Sequence, residues 1–220
     1  MQEVNFFLKT HNSSKREYAK YMNFEKPDCM SIAKKYSKEF FDGDRKYGYG
    51  GYKYLPNRWN DVVNNIQKFY NLDKYSKILD AGAGKGFFIK DLKDRIYSNK
   101  IYGFDISEYA VKHCHDDIRD NFFIHDIRKK LEFNDKYFDL LTCFGVLHNL
   151  KIFEIKKTIQ ELNRVSKRQY IWVESYRSDK ELFNLQCWAK TCESFFTPDE
   201  WIWVFKEFGY SGEYEFIYFE

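Results

Sequence analysis

Lys77-Ile78-Leu79-Asp80-Ala81-Gly82-Ala83-Gly84-Lys85-Gly86-Phe87-Phe88-Ile89 is the stretch that decides the fold. Ile78-Leu79 predicts a short strand, and Phe87 to Arg95 predicts a helix. Between them, Gly82, Gly84 and Gly86 predict a turn that lets the backbone approach a ligand and exposes amides at a helix N-terminus. A glycine turn alone fits several nucleotide folds. Here the spacing is Gly-x-Gly-x-Gly rather than the Gly-x-Gly-x-x-Gly of dinucleotide enzymes. It also lacks the Gly-Lys-Ser/Thr ending of a phosphate-binding P-loop.

Downstream of this turn the pattern alternates. Strands are predicted at Ile101–Phe104, Phe122–Ile124, Phe138–Phe144 and Tyr170–Val173, and helices at Ser107 to about Asp116 and Ile152–Val165. The last helix carries apolar residues at 152, 155, 159, 162 and 165, one stripe of an amphipathic helix. Thr197-Pro198-Asp199-Glu200 starts a further helix with a capping box, and Gly209 stops it. Glu213 to Phe219 alternates as a final strand. Such alternation implies an α/β fold, Rossmann-like and doubly wound, with a mostly parallel sheet and helices on both faces.

Upstream, residues 1–40 read as helical, and Trp59 to Tyr70 has amphipathic spacing. Between them, four glycines at 43, 48, 50 and 51 alternate with Tyr47, Tyr49, Tyr52 and Tyr54, which a helix would not tolerate. The organisation expected is an N-terminal helical and loop cap with a Gly/Tyr-rich lid over 1–75. Residues 76–220 would form the main domain, the two making one structural unit.

Three acidic residues end successive strands. Asp80 precedes the first of these glycines, Asp105 follows Ile101–Phe104 nineteen residues beyond Gly86, and Asp126 follows Phe122–Ile124. An aspartate at the second position can accept hydrogen bonds from two ribose hydroxyls. A carboxylate at the third can hold an adenine amino group while Ile127 packs on the ring. Carboxyl ends of parallel strands are where this architecture binds ligands.

The run Asp80, Gly82/84/86, Asp105, Asp126 resembles the class I S-adenosylmethionine-dependent methyltransferases, as does Tyr137 to Leu150 as a fourth strand and loop. The likeness covers about residues 76–220. It implies S-adenosylmethionine as cofactor and a seven-stranded sheet whose last strand is antiparallel. One clear strand follows Val173, so either the sheet is shortened or the N-terminal segment completes it. A narrower likeness joins Tyr47-Gly-Tyr-Gly-Gly-Tyr52, Leu147-His-Asn-Leu150, Val173-Glu-Ser-Tyr-Arg177 and Cys192 to Trp201. These resemble small bacterial methyltransferases associated with surface-sugar and nucleotide-sugar biosynthesis, which implies a small acceptor of that class.

The candidate cofactor contacts are Asp80, Ala81, Gly82, Gly84, Gly86, Phe87, Asp105, Ile106, Asp126, Ile127, Phe144 and Tyr49. His148, Glu174 and Tyr176 are the catalytic candidates. His148 has an ordinary pKa suited to proton removal, but a histidine in this loop equally serves as a helix cap or pocket wall, and Glu174 is the rival base. Tyr47, Tyr52, Arg58 and Arg177 are the acceptor-binding candidates; a surface ion pair is the plain alternative for Arg177, and a helix-start role for Arg58. The tyrosine loop reads as a lid or as a packing strap, and aromatic faces attract a sulfonium.

Composition bounds the rest. The chain has 220 residues, 44% hydrophobic and 20% aromatic, which suits one domain with a large core. Lys and Arg number 36 against 33 Asp and Glu, so the net charge of +3 argues against a dedicated nucleic-acid or membrane-surface binder. Cysteines at 29, 114, 143, 187 and 192 have no metal or redox spacing and predict free thiols in a reducing compartment. Neighbouring positions of His113-Cys114-His115 point about 100° apart on a helix, so no metal site is expected there. The absence of a long apolar segment predicts a cytoplasmic protein, and a homodimer is an open possibility. Two other classes stay open: a dinucleotide-dependent oxidoreductase, and a non-catalytic cofactor-binding protein of the same fold.

Overall fold

The computed structural model describes residues 1–13, 16–50 and 53–220. In chain order it runs β1 (Gln2–Glu3), α1 (Leu8–Asn12), α2 (Lys26–Ala33), α3 (Lys38–Asp42), α4 (Asn60–Tyr70), β2 (Ile78–Ala81), α5 (Phe87–Ile96) and β3 (Ile101–Asp105). It continues with α6 (Glu108–Lys112), β4 (Phe122–Ile124), β5 (Leu140–Phe144), α7 (Ile152–Val165), β6 (Gln169–Glu174), α8 (Asp179–Trp188), α9 (Pro198–Glu207) and β7 (Glu213–Ile217). Short 3-10 turns occupy Tyr18–Tyr21, Asp116–Asn121 and Leu147–Asn149.

The seven strands make one sheet in the order β1-β7-β6-β5-β2-β3-β4, and every strand pair is parallel. β2 lies at its centre, with Asp80 opposite Gly103 on one side and Thr142 on the other. Successive side chains of a strand face opposite ways, and this alternation sorts the core into two layers. Leu79, Ala81, Leu141, Cys143, Ile171 and Val173 pack with the stripe of α7 and with Trp201, Val204 and Phe205 of α9. Ile78, Leu140, Tyr170 and Ile101 pack with α4 and α5 on the other face. The doubly wound α/β architecture is therefore present.

The expected antiparallel last strand is not. β7 runs parallel to β6, with Tyr170 opposite Glu213 and Glu174 opposite Ile217. The reason lies in the connection. Two helices, α8 and α9, intervene between the strands, and the chain returns to the starting edge through Gly209, whose φ is +77°. Such crossovers produce parallel neighbours, whereas antiparallel ones follow from hairpins. Of the two alternatives for completing the sheet, the N-terminus supplies the strand: β1 pairs with β7.

Residues 1–40 are less helical than their spacing suggests, broken into β1 and short helices. The helix after Ser107 ends at Lys112, and β5 begins at Leu140, with Phe138 making only an isolated bridge to Ser166. α8 is a helix that the periodicity does not announce; Ser178, which accepts from Glu181 N at 3.3 Å, is the cap that signals it.

One side chain ties the N-terminal segment to the sheet. The carboxylate of Glu215, 1% exposed, accepts the backbone N–H groups of Phe6 (3.1 Å), Phe7 (3.0 Å) and Leu8 (2.6 Å), and the Tyr170 hydroxyl donates to it. It thereby satisfies the free amides at the start of α1. Glu215→Ala leaves these donors buried without an acceptor, and we expect a loss of about 3 kcal/mol, the lower end for breaking a buried charged network. Urea denaturation checks this; an unchanged midpoint would assign the anchoring to β1 pairing alone.

Candidate active site

The turn from β2 into α5 is held in the left-handed region at Gly82 (φ +75°) and Gly84 (φ +58°). A Cβ on Gly82 would fall 2.4 Å from Cγ2 of Val146, so packing and backbone both exclude a side chain. Among the described residues, a Cβ on Gly84 would meet only Phe41 Cε1, at an ordinary 3.6 Å. Its amide donates to Asp105 Oδ2 at 2.8 Å, so the β3 carboxylate fixes the glycine turn from below. Gly86 plays a different part. As the N-cap of α5 it approaches Ile118, whose Cδ1 lies 2.1 Å from where a Cβ would sit, and it does not line the cavity.

Asp80, Asp105 and Asp126 all line one cavity of about 780 Å³ at the carboxyl ends of the strands, well within the size of small-molecule sites. It opens beside β2, where the chain order reverses. Asp80 is buried and its Oδ1 accepts from Thr142 Oγ1 at 2.7 Å; burial, with Asp105 adding repulsion, raises its pKa to about 7. Asp105 is raised to about 6 by burial, against the pull of the Ser107 and Gly84 amides. Each of its oxygens accepts one backbone amide, and a carboxylate oxygen has a second lone pair to offer a ligand. Asp126 is different: Arg128 closes on it with Nε at 2.8 Å and Nη2 at 2.7 Å, and holds its carboxyl below the usual range.

Ile106, Ile127, Phe87, Phe144, Tyr49, Arg58, His148 and Glu174 share this cavity. His148 is buried in the 3-10 turn Leu147–Asn149. Its Nδ1 accepts the backbone N–H of Glu174 at 3.2 Å, so in a neutral ring the proton sits on Nε2, 3.4 Å from Glu174 Oε2. Burial drives His148 down to about 3 and Glu174 up to about 8. The pair is therefore a neutral imidazole facing a carboxyl poised near neutrality. Tyr49 is fixed by its hydroxyl, which accepts the amides of Lys190 at 2.6 Å and Thr191 at 3.0 Å, and its ring stacks on Trp188.

Five candidates stand away from this cavity. Ala81 is enclosed in the core beneath it, and Gly86 is the packing glycine described above. Tyr47 lies half-buried under Lys46. Tyr176 packs with the cluster of Leu185 and Trp188. Arg177 is drawn to Glu181 and Glu220, its guanidinium 3.9 Å from the Tyr218 ring, so the surface ion pair is the arrangement found. Tyr52 lies outside the described residues.

Of four stacked rings in the wall, sequence reasoning named Phe144 and missed Phe7, Trp59 and Trp172. Phe7, Trp59, Phe144 and Trp172 form a nearly parallel stack: Phe7 lies 5.3 Å from Trp59 at 24° and 5.2 Å from Trp172 at 4°. Phe144 lies 6.4 Å from Trp59 at 13° and 6.2 Å from Trp172 at 17°. All four line the cavity. Trp172 was legible only as an inner strand residue, and nothing local marks Phe7. Lys85, in the glycine turn, bridges to Asp42 of α3 at 2.6 Å and so holds the cap against the turn.

The sequence profile of the methyltransferase domain matches residues 72–209, well over half the chain. The chain belongs to the methyltransferase-domain family. S-adenosylmethionine is the cofactor that this family implies, and the glycine turn with its buried carboxylates fits a cationic nucleoside. Compared by sequence with curated proteins, the chain matches none. Among solved structures it is similar to an S-adenosylmethionine-dependent methyltransferase from Archaeoglobus fulgidus, with a TM-score of 0.54 and 20% identity over 78% of this chain and 72% of that one. The YcgJ protein of Bacillus subtilis gives 0.52 and 20% over 66% of each chain. A chain from a complex of the Haloferax volcanii Trm112 methyltransferase activator with a methyltransferase gives 0.53 and 17%, over 70% of this chain and 75% of that one. At such identities the likeness speaks to the fold alone. No helix among the described residues is long and apolar enough to cross a membrane.

The raised Asp80 pKa has a consequence for stability. A carboxyl pushed from 3.8 to about 7 favours folding below its unfolded value, and that contribution is lost as pH rises through about 7. Asp80→Asn removes the ionisation. The stability of the variant relative to the parent should therefore rise between pH 5 and pH 8, as measured by urea denaturation at both. A difference independent of pH would mean that Asp80 ionises freely in the fold.

Proposed function

We propose that this protein methylates a hydroxyl of a small acceptor, a sugar or nucleotide sugar, with Glu174 accepting the proton. The observation that carries the proposal is the pairing of Glu174 with His148 in the same cavity as the glycine turn and its carboxylates. The acceptor class draws on the motif likeness around Tyr47–Tyr52, Leu147–Leu150 and Cys192–Trp201.

S-adenosylmethionine, when bound, supplies a methyl group already activated on a sulfonium. The protein has then to align, exclude water and take up a proton. Asp105 would hold the ribose hydroxyls with lone pairs its amide partners leave over. Asp80 would take the ammonium of the amino-acid end, with Gly82 and Gly84 letting it approach the turn. Ile106, Ile127 and Phe87 would sandwich the adenine, with Asp126 at its edge. The ring faces of Phe7, Trp59, Phe144 and Trp172 exclude water and favour a cationic group.

The division of labour between His148 and Glu174 follows from protonation. His148 uses Nδ1 as an acceptor and stays neutral, so Nε2–H is a donor with no lone pair for a substrate proton. Its role is to orient Glu174. Glu174, raised to about 8, is a stronger base than an ordinary carboxylate and matches the pH range where a general base works best. Tyr176 and Arg177 take no part in this scheme.

Two substitutions test it. Asp105→Ala should weaken S-adenosylhomocysteine binding by about 1.5–3 kcal/mol, measured by calorimetry; an unchanged dissociation constant would remove Asp105 from the site. Glu174→Gln should lower turnover of labelled cofactor with nucleotide sugars by roughly 10²–10⁴ while leaving cofactor affinity intact. Full turnover in this variant would reject Glu174 as base. Saturable binding of NAD in place of S-adenosylhomocysteine would reject the methyl-transfer reading altogether.

A further inference from the structure

α1 is only five residues long, and it begins just after Phe7. Phe7, Thr10 and His11 all line the cavity, and their i, i+3, i+4 spacing sets them side by side on one face of a helix. Phe7 belongs to the ring stack. The other two bring polar atoms that the fold itself does not use.

His11 Nε2 lies 3.1 Å from the Tyr218 carbonyl oxygen. A carbonyl only accepts, so Nε2 carries the proton and Nδ1 is left with a lone pair. The ring is held edge-on against Phe219, the centroids 5.3 Å apart at 75°. Burial, with the Arg16 guanidinium beside it, lowers His11 to about 4, so the imidazole is neutral at pH 7. Thr10 offers its backbone carbonyl to Ser13 Oγ at 2.8 Å. Neither the Thr10 hydroxyl nor His11 Nδ1 has a hydrogen-bond partner among the described residues.

Their place in the sheet says which end of the cavity they serve. Tyr218 follows Ile217, which stands opposite Glu174 in the β6–β7 ladder, and Ile217 and Glu174 line the same cavity. β3, which ends in Asp105, lies four strand spacings from β7, about 19 Å away. His11 therefore borders the Glu174 end, far from the carboxylate assigned to the ribose. A neutral imidazole lone pair needs a ligand that brings a proton. Carboxylate and phosphate oxygens bring none, whereas a hydroxyl does, and the Thr10 hydroxyl can give or take one.

We propose that Thr10 and His11 determine acceptor specificity, with His11 Nδ1 accepting a hydrogen bond from a second hydroxyl of the acceptor while Glu174 takes the proton of the hydroxyl that is methylated. The inference deepens the methyl-transfer reading above and rests on it: the acceptor is a polyol, held through at least two of its hydroxyls. His11 positions the acceptor and moves no proton, since the stronger base of the two is Glu174.

The test uses the whole protein carrying nitrogen-15-labelled histidine and saturated with S-adenosylhomocysteine at pH 7. The His11 ring signals, identified by their loss in His11→Phe, should show a protonated Nε2 and a bare Nδ1; the reverse tautomer would overturn the proposal. UDP-glucose, GDP-mannose and dTDP-glucose are then titrated in, with UDP as the sugar-free comparator. At least one sugar nucleotide should move the Nδ1 signal toward its hydrogen-bonded position while UDP leaves it in place. An equal shift with UDP, or no shift with any sugar nucleotide, would sink the proposal. For the sugar nucleotide that moves the signal, His11→Phe and Thr10→Val should each raise KM about five- to tenfold, the upper range for one neutral hydrogen bond. kcat should change less, S-adenosylhomocysteine affinity should hold, and Thr10→Ser should restore the parent KM. An unchanged KM in both variants would reduce the pair to packing. Should His11→Phe not fold, His11→Asn identifies the signals and Thr10→Val carries the kinetic arm. Binding of S-adenosylhomocysteine without a sugar response defeats this inference alone, whereas absence of that binding defeats the methyl-transfer reading.

Discussion

Most of the cavity's upper wall hangs on the Glu215 carboxylate. By accepting three consecutive amides at the start of α1, it fixes where the N-terminal segment leaves β1 and turns over the sheet. From that anchor Phe7 enters the ring stack, His11 reaches the Tyr218 carbonyl, and Arg16 comes to stand over Trp188. A charged acceptor buried among four donors is stable only as a set, since any one missing partner leaves the others unbalanced. One side chain of the last strand thus couples the cap to the sheet, beside the β1 pairing and the Lys85–Asp42 bridge.

The site itself is built by taking carboxyls out of water. Asp80, Asp105 and Glu174 are all raised by burial, and each is steadied by a different device: a threonine hydroxyl, a pair of backbone amides, and a neutral histidine. The fold tolerates this because a cationic ligand favours the ionised forms that burial disfavours. Asp126, clamped by Arg128 nearer the surface, has the opposite shift and keeps its charge throughout.

How far the sequence could be read depended on the range of the forces involved. Strand and helix alternation, the capping box at Thr197 and the glycine turn are local, and they placed β2, α5, α7 and α9 nearly to the residue. The three strand-end aspartates followed from the parallel sheet, because its carboxyl edge collects them at one place. What escaped was long-range. Nothing near Gln2 announces a strand, since two residues carry no periodicity, and β1 exists only because β7 offers an unpaired edge. The parallel course of β7 was hidden because direction is set by the two helices of the crossover, one of which has a weak amphipathic pattern. Phe7 and Trp172 meet across 165 positions of chain, and His11 meets the Tyr218 carbonyl across 207. Tyr176 and Arg177, two and three residues beyond Glu174, follow the chain away from the cavity, so nearness in sequence misled there.

The two outermost strands are also the shortest, two residues in β1 and three in β4. A sheet with unpaired borders invites another molecule's backbone to extend it, and wide borders are a recognised route to aggregation. Here the surplus hydrogen-bonding groups at either border span barely one residue pair of a ladder, so a chain rich in aromatic side chains closes its sheet without a barrel and without offering neighbours a template.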